Sequence, residues 1–389
     1  MVIIVHNIPL KPNDKSGDLQ NSILSVTSIG QALAAAGTET KVILPVTAMP
    51  DEKNMDLWFN NSISNNSFSI APVVINPRRN KMQKYFLPSV LFRLLKKDNP
   101  ACIITRSAPW GLSLSKHGFN TIIDLHTHKL AKHSFLNQYF SKKLIQSSYQ
   151  NQNLRIIAIS QTLATYWLIN KINRQSISFA HNGFDSDSYM EPSSSDKVRK
   201  ELGLSKEEKI VLYAGSFWSQ RGIEIIFKAA QLLPNFYFVL IGGPFKQKQA
   251  LEDQCQKANI KNIRFLKPVR QRELSSVLFS ANVLLGVFSS QLPTAEYFSS
   301  LKIMEYMATG IPVVTQDFSG IRELIQDNIT GYIAKPDDTQ SLVSKIKQAA
   351  NSHNSKVIGN NARQYAFNNL TWAHRAEKFK GVVHSISKL

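Results

Sequence analysis

Cysteine is scarce: Cys102 and Cys255 are the only two in 389 residues, one in each half. They read as small buried hydrophobes rather than a disulfide, which fits a reducing compartment. No apolar run approaches the roughly 18 residues that a membrane-spanning helix needs. The N-terminus starts directly as an apolar run, residues 2–5. It lacks the charged start, long apolar core and small-residue cleavage site of a secretion signal, so a cytoplasmic protein is expected. Metal-ligand clusters are missing as well. His126 and His128 lie one residue apart, but no Cys or carboxylate cluster completes a ligand set, so no metal is expected. Acidic residues are few: 27 Asp+Glu against 46 Lys+Arg, a net charge of +19. The excess is spread along the chain, with 20 basic against 10 acidic residues up to position 190 and 26 against 17 after it. No basic tail explains it. Such a field suits anionic partners: nucleoside diphosphates, anionic lipid surfaces or nucleic acid. No nucleic-acid-binding motif accompanies it, so nucleic acid is not an expected partner.

What is present is alternation. Apolar runs at 2–5, 41–45, 101–105, 121–125, 154–159, 210–214, 236–241, 263–266 and 281–287 read as strands. Between them, helical spacing recurs, for instance Ile23, Val26, Ile29 and Leu33 in 22–36, and Ile226, Ala229, Ala230 and Leu233 after Ile223. Strand–helix alternation from end to end gives an α/β chain of two Rossmann-like halves, and the length suffices for two cores. Residues 51–72 are Asn/Ser-rich and read as a surface excursion. The stretch 78–97 holds Arg78, Arg79, Lys81, Lys84, Arg93, Lys96 and Lys97 with no acid, interleaved with Tyr85, Phe86, Leu87, Leu91, Phe92 and Leu94. Two readings stay open: a helix resting on an anionic membrane surface, or a domain helix with a solvated basic face. Pro88 argues against one continuous helix.

The remaining elements are organised around residues 299–314, SSLKIMEYMATGIPVV. This is a serine turn, a helix over 301–308, a stop at Gly310 and Pro312, and a buried strand from 311. A serine turn opening a helix aims backbone N–H groups outward at the positive end of the helix dipole, which suits a phosphate. Glu305 lies one turn inside. Its carboxylate accepts hydrogen bonds in pairs, as the two vicinal hydroxyls of a ribose require. A lone helix glutamate is more often simply solvent-facing.

The segment resembles the nucleotide-sugar signature of family 4 glycosyltransferases of GT-B fold. The resemblance implies that Glu305 holds the ribose and that Ser300, Leu301 and Lys302 hold the diphosphate. That family has a further Glu eight residues earlier, touching the donor sugar; here Tyr297 stands at that position, with Glu296 just before it. Other stretches extend the resemblance. Gly215 and Ser216 follow a strand, and Arg221 and Gly222 precede a helix. The family has G-R and then K-G at these places, so Ser216 replaces one expected cation and Arg221 stands for the other. The loop Lys267, Pro268 and Val269 would read the base edge. His126, at a strand end, would face the donor sugar. Gly17, in the loop after the first strand, would let the backbone approach donor or acceptor. The sequence His181-Asn182-Gly183-Phe184-Asp185 marks the passage between domains.

The resemblance implies an acceptor-binding domain over 1–185, a nucleotide-sugar-binding domain over 186–370, and a closing helix over 371–389 that packs back on the first domain, with a cleft between the domains. It implies a retaining, metal-independent transfer of a hexose-type sugar from a nucleoside-diphosphate sugar to a hydroxyl of a saccharide or lipid-linked acceptor. The setting would be cell-surface polysaccharide or glycolipid synthesis, with His126, Arg221 and Lys302 in the chemistry. The nucleotide sugar is a co-substrate and no cofactor is expected. A peripheral position on the inner face of a membrane, through the basic N-terminal domain, is a further expectation. The rivals are a GT-B sugar-nucleotide epimerase or phosphorylase, and a non-catalytic protein that binds polyanions or anionic lipid.

Overall fold

The computed structural model describes residues 1–6, 10, 17–49, 67–75, 85–190, 195–201, 203–205, 207–217, 222–243, 245–269 and 271–387. The chain divides into two compact units: Met1–Asn182 with Trp372–Leu389, and Gly183–Thr371.

Unit 1 runs β1 (Val2–Val5), α1 (Gly17–Ala35), β2 (Thr40–Val46), β3 (Phe68–Val74), α2 (Ser89–Asp98), β4 (Cys102–Thr105), α3 (Ala108–Lys116), β5 (Thr121–Leu125), α4 (Ser134–Gln150), β6 (Leu154–Ala158), α5 (Gln161–Ile169) and β7 (Ile177–Phe179). Its sheet is parallel throughout, in the order β3-β2-β1-β4-β5-β6-β7. The central strands VIIV, CIIT and TIIDL are buried along their whole length, because helices cover both faces of a parallel sheet. The chain returns to this unit after Thr371 as a C-terminal helix, Trp372–Ser387, whose Ala376 and Phe379 are buried and whose Lys380 donates to the Ala36 carbonyl at 2.7 Å.

Two expectations change here. Residues 68–72, read as the end of a polar excursion, belong to β3, which is paired along its length with β2. As the edge strand of the sheet it stays half-exposed and tolerates Pro72, so it carries neither a buried-run nor a clean alternating pattern. Residues 51–66 lie outside the described residues. Of the basic stretch, residues 78–84 also lie outside them, and α2 starts after Pro88. The α2 side chains Leu91 and Leu95 are buried in the core with Trp110 and Leu114, while Arg93, Lys96 and Lys97 face outward. The apolar side of this helix is therefore occupied by its own unit, as the domain-helix reading has it.

Unit 2 runs α6 (Ser195–Glu201), β8 (Lys209–Ala214), α7 (Ile223–Leu232), β9 (Phe236–Ile241), α8 (Phe245–Lys257), β10 (Ile263–Leu266), α9 (Gln271–Leu278), β11 (Val283–Gly286), α10 (Leu301–Thr309), β12 (Val313–Gln316), α11 (Ser319–Arg322), β13 (Tyr332–Ala334), α12 (Thr339–Asn351) and α13 (Ser355–Asn369); the C-terminal helix of unit 1 is then α14. Its sheet, also parallel, has the order β10-β9-β8-β11-β12-β13. Both sheets thus reverse direction once, between β1 and β4 and between β8 and β11. In open parallel sheets such a reversal leaves a crevice at the carboxyl ends of the strands, where ligands bind. Cys102 and Cys255 are buried free thiols, one per unit, and burial pushes both up, to about 12 and about 11. Among the described residues no helix is long and apolar enough to cross a membrane.

Candidate functional site

In unit 2 the reversal point is built on close backbone approach. Gly215 follows β8 and donates its N–H to the Ile241 carbonyl. A side chain on Gly242 would meet the Gly215 carbonyl oxygen at 2.1 Å, and one on Gly243 would meet the Phe217 ring at 2.3 Å. Gly242 and Gly243 also hold positive φ, 128° and 66°, which favours glycine. The end of β8 is pinned by Tyr306, buried inside α10. Its hydroxyl accepts the Ala214 N–H at 2.8 Å and donates to the Ala214 carbonyl at 3.3 Å. A phenol is thus the joint between α10 and the glycine turn. The sequence shows Tyr306 only as one more apolar-face residue.

The helix α10 begins as expected. Ser300 is its N-cap and accepts the Ile303 N–H, and Gly310 ends it with φ 76°. Ser299 and Ser300 are only 6% and 7% exposed, so the serine turn itself is nearly covered. Leu301, Lys302 and Glu305 are the three residues of α10 that stay partly exposed, and they share one face. The Lys302 ammonium lies 3.9 Å from the Tyr213 ring centroid and 5.2 Å from that of Phe288. A Cβ on Gly215 would sit 2.9 Å from that ammonium. The cation, the glycine turn and the helix start are therefore one place. Glu305 lies beside Tyr189: burial first, and this carboxylate second, raise the Tyr189 hydroxyl.

The loop between β11 and α10 shows what became of the expected second glutamate. Glu296 accepts from both the Ser319 hydroxyl, at 2.8 Å, and the Ser319 N–H, at 3.3 Å, so it secures the start of α11. Tyr297 is buried in the loop. Gln316, at the end of β12, accepts the Phe288 N–H at 2.7 Å and ties the β11 loop to the neighbouring strand. Ser216 contributes its carbonyl, which accepts from the Tyr213 hydroxyl. Lys267, Pro268 and Val269 follow the edge strand β10, with Lys267 and Pro268 exposed. Arg221 lies outside the described residues. Gly17 does not sit in a loop: it is the first residue of α1, in unit 1, because the helix starts ahead of the apolar spacing that reveals it.

The reversal point of unit 1 carries a network that sequence reasoning reached only through His126. Asp124, inside β5, accepts from Arg375 of α14 at 2.7 Å and lies 3.1 Å from His126 Nε2. Arg106, directly after β4, approaches His126 Nδ1 to 2.6 Å through Nη2 and donates to the Ser22 hydroxyl through Nη1. The same Ser22 hydroxyl lies 2.9 Å from His6, at the end of β1. Arg106 also reaches His126 Nε2, at 3.1 Å through Nε and 2.9 Å through Nη2, so the ring is held between the Asp124 carboxylate and the Arg106 guanidinium, and a neutral ring can accept from Arg106. Burial, then the Arg106 charge, push His126 down to about 4. Burial alone would raise Asp124, but Arg375, His126 and Arg106 together hold it well below the carboxylate range. Burial pushes Arg106 down to about 10. The expectation that His126 offers its ring to a sugar hydroxyl is therefore modified: both nitrogens already have protein partners, since a partly buried imidazole between a carboxylate and a guanidinium is satisfied by them. His128 packs against the Tyr166 ring instead, and among the described residues no group of three or more His, Cys, Asp or Glu is gathered. Arg106 was legible as a cation at a strand end. Arg375, 251 residues from Asp124, left no local signal.

Residues 194–365 match the family model of the glycosyl transferases group 1. A lipopolysaccharide 1,2-N-acetylglucosaminetransferase of Salmonella typhimurium is 23% identical over 248 residues, 59% of this chain and 62% of that one. A UDP-Gal:alpha-D-GlcNAc-diphosphoundecaprenol alpha-1,3-galactosyltransferase of Escherichia coli is 21% identical over 75% of this chain and 76% of its own. The chain spans about half the length of several other curated relatives that it matches, 46% and 47% for two of them. Among solved structures, Anabaena HepE in complex with UDP superimposes with a TM-score of 0.75 at 16% identity, covering 99% of both chains. Residues 194–365 are thus similar to the glycosyl transferases group 1, and the fold of the chain is GT-B.

Proposed function

We propose that the protein transfers a hexose-type sugar from a nucleoside-diphosphate sugar to a hydroxyl acceptor, with retention of anomeric configuration, in the synthesis of a cell-surface polysaccharide or glycolipid. One observation carries the donor site: Lys302, the start of α10 and the glycine turn at Gly215 converge at the reversal point of the second sheet. The Lys302 ammonium and the first N–H groups of α10 hold the departing diphosphate, and Arg221 adds a second cation by resemblance. Glu305, one turn along the same face, takes the ribose hydroxyls. Lys267, Pro268 and Val269 border the base, and Ser216 and Tyr297 flank the sugar. Charge on the leaving group is met by fixed dipoles and cations, so no metal is needed. Unit 1 takes the acceptor, with His126 held neutral by Asp124 and Arg106. UDP is the first nucleotide to test, since HepE was solved with UDP and with UDP-glucose.

The test is a thermal-shift screen of the whole protein against a panel of nucleotide sugars, because a ligand at 100 times its Kd adds about 2.7 kcal/mol of stability. A saturable shift with one nucleotide, lost in Glu305→Ala, is expected; no shift with any would end the proposal. Turnover in excess chelator checks the metal claim, and loss restored by a divalent ion refutes it. A donor altered with no acceptor present would point to an epimerase instead.

A further inference from the structure

The strand–helix segments from position 125 to 184 contain no Asp or Glu, yet hold Lys129, Lys132, Lys142, Lys143, Arg155, Lys171 and Arg174. Within them, α4 presents a face that its own unit does not use. Its inner side is Phe140, Leu144 and Ser148, all buried. On the opposite side stand Phe135, 78% exposed, Tyr139, 48% exposed, and Tyr149, 63% exposed. Lys142 and Lys143 lie between them in sequence and are also exposed. At 100° per residue, Phe135, Tyr139, Lys142, Lys143 and Tyr149 fall within about 120° of arc, along roughly 21 Å of helix. Single exposed aromatics are ordinary; three on one helix face together with two lysines are not. Tyr85 stacks on Phe140, 5.8 Å between ring centres, and the next residue in the chain, Phe86, is exposed. None of the ion pairs among the described residues involves Lys129, Lys132, Lys142 or Lys143.

We infer that the outer face of α4 is a docking surface for an anionic lipid bilayer. Aromatic rings settle at the level of lipid headgroups with their apolar bodies inward, and lysine stems lie along the apolar layer while the ammonium reaches the anionic surface. The helix itself and the segments next to it in sequence, from 125 to 184, carry no carboxylate to repel the headgroups. A nucleic-acid strand would use the lysines but gives no reason for aromatics along a convex helix rather than in a groove. The basic helix α2, with its apolar side in the core, is not the contact. The inference stands apart from the sugar-transfer reading, because the face shares no residue with the donor site.

The test is co-sedimentation of the full-length protein with vesicles of phosphatidylcholine alone and with added phosphatidylglycerol. Binding that requires phosphatidylglycerol and weakens with salt is expected. Phe135→Ser with Tyr139→Ser should weaken it about tenfold. Lys142→Gln with Lys143→Gln should weaken it by more than tenfold, at about fivefold for each lysine. Lys96→Gln with Lys97→Gln on α2 should leave it within twofold. All these positions are exposed, and unchanged circular dichroism checks the fold of each variant. No binding to the anionic vesicles overturns the inference, and so does binding that both α4 pairs leave intact. Equal affinity for single-stranded oligonucleotide, indifferent to the aromatic pair, also overturns it in favour of a polyanion site.

Discussion

At the residue scale the decisive feature is which side chains are already spoken for. Glu296 was one candidate for the sugar contact, and it is engaged at the start of α11. Glu305 lies on the partly exposed face of α10, where the proposed ribose contact falls. Lys302→Met should lower nucleotide affinity roughly tenfold or more, the worth of one charge-assisted hydrogen bond, as calorimetric titration would show. His126 makes a pH prediction. Its folded pKa, about 4, lies below the ordinary 6.5, so the unfolded chain binds the extra proton first. The stability due to keeping His126 neutral is complete above pH 6.5 and lost as pH falls towards 4, at no more than about 1.4 kcal/mol per pH unit. Asp124, depressed in the fold, loses its contribution in the same direction, below the unfolded carboxylate range. Urea midpoints at pH 7, 6 and 5 should therefore fall steadily, and His126→Gln should flatten the decline between 7 and 5. An equal slope in the variant refutes the assignment. His126 itself was visible at a strand end, whereas its partner across α14 was not, because ion pairs between elements leave no sequence spacing.

At the element scale, α10 is held at both ends and in the middle. Ser300 caps it, so Ser300→Ala should cost about 1 kcal/mol in chemical denaturation. At its other end, α13 comes so close that a Cβ on Gly359 would meet the Gly310 carbonyl oxygen at 2.0 Å. Gly359→Ala must push the two helices apart, with an expected cost of about 1–3 kcal/mol and weaker nucleotide binding, since Tyr306 and Lys302 ride on the displaced helix. A variant as stable as the parent would contradict that packing. The cap, the helix and the αL stop were all legible in SSLKIMEYMATG, because capping chemistry is local. The Gly359 approach was not, since close packing of two helices depends on which faces meet. The edge strand β3 escaped notice for a related reason: half-buried and interrupted by Pro72, it looks polar until it is paired with β2.

At the scale of the whole molecule, the chain leaves unit 1 after Asn182 and returns at Trp372. Arg375, on the returning helix, pairs with Asp124 and also donates to the His181 carbonyl at 2.7 Å. Unit 1 therefore needs residues 372–389, while unit 2 is continuous. Expressed alone, residues 183–371 should unfold in one cooperative transition. A protein ending at Thr371 should keep that transition and lose most of the stability of unit 1. Arg375→Met should cost unit 1 about 3–5 kcal/mol, because it leaves a buried carboxylate without its cation. Two urea transitions followed by circular dichroism would show this, and a truncated unit 1 of unchanged midpoint would refute it.

The sequence by itself determined the α/β class, most of the strands and the helix that carries Lys302 and Glu305, because hydrophobic period, capping and glycine stops act over a few residues. Only the tertiary structure decided that Tyr306 anchors Gly215, that Glu296 is spent on α11, that Arg106, Asp124 and Arg375 enclose His126, and that α4 turns its aromatics outward. Those are pairings between segments far apart in the chain. They are set by sheet order and by which surfaces are left over once the cores are filled, and no local pattern records either.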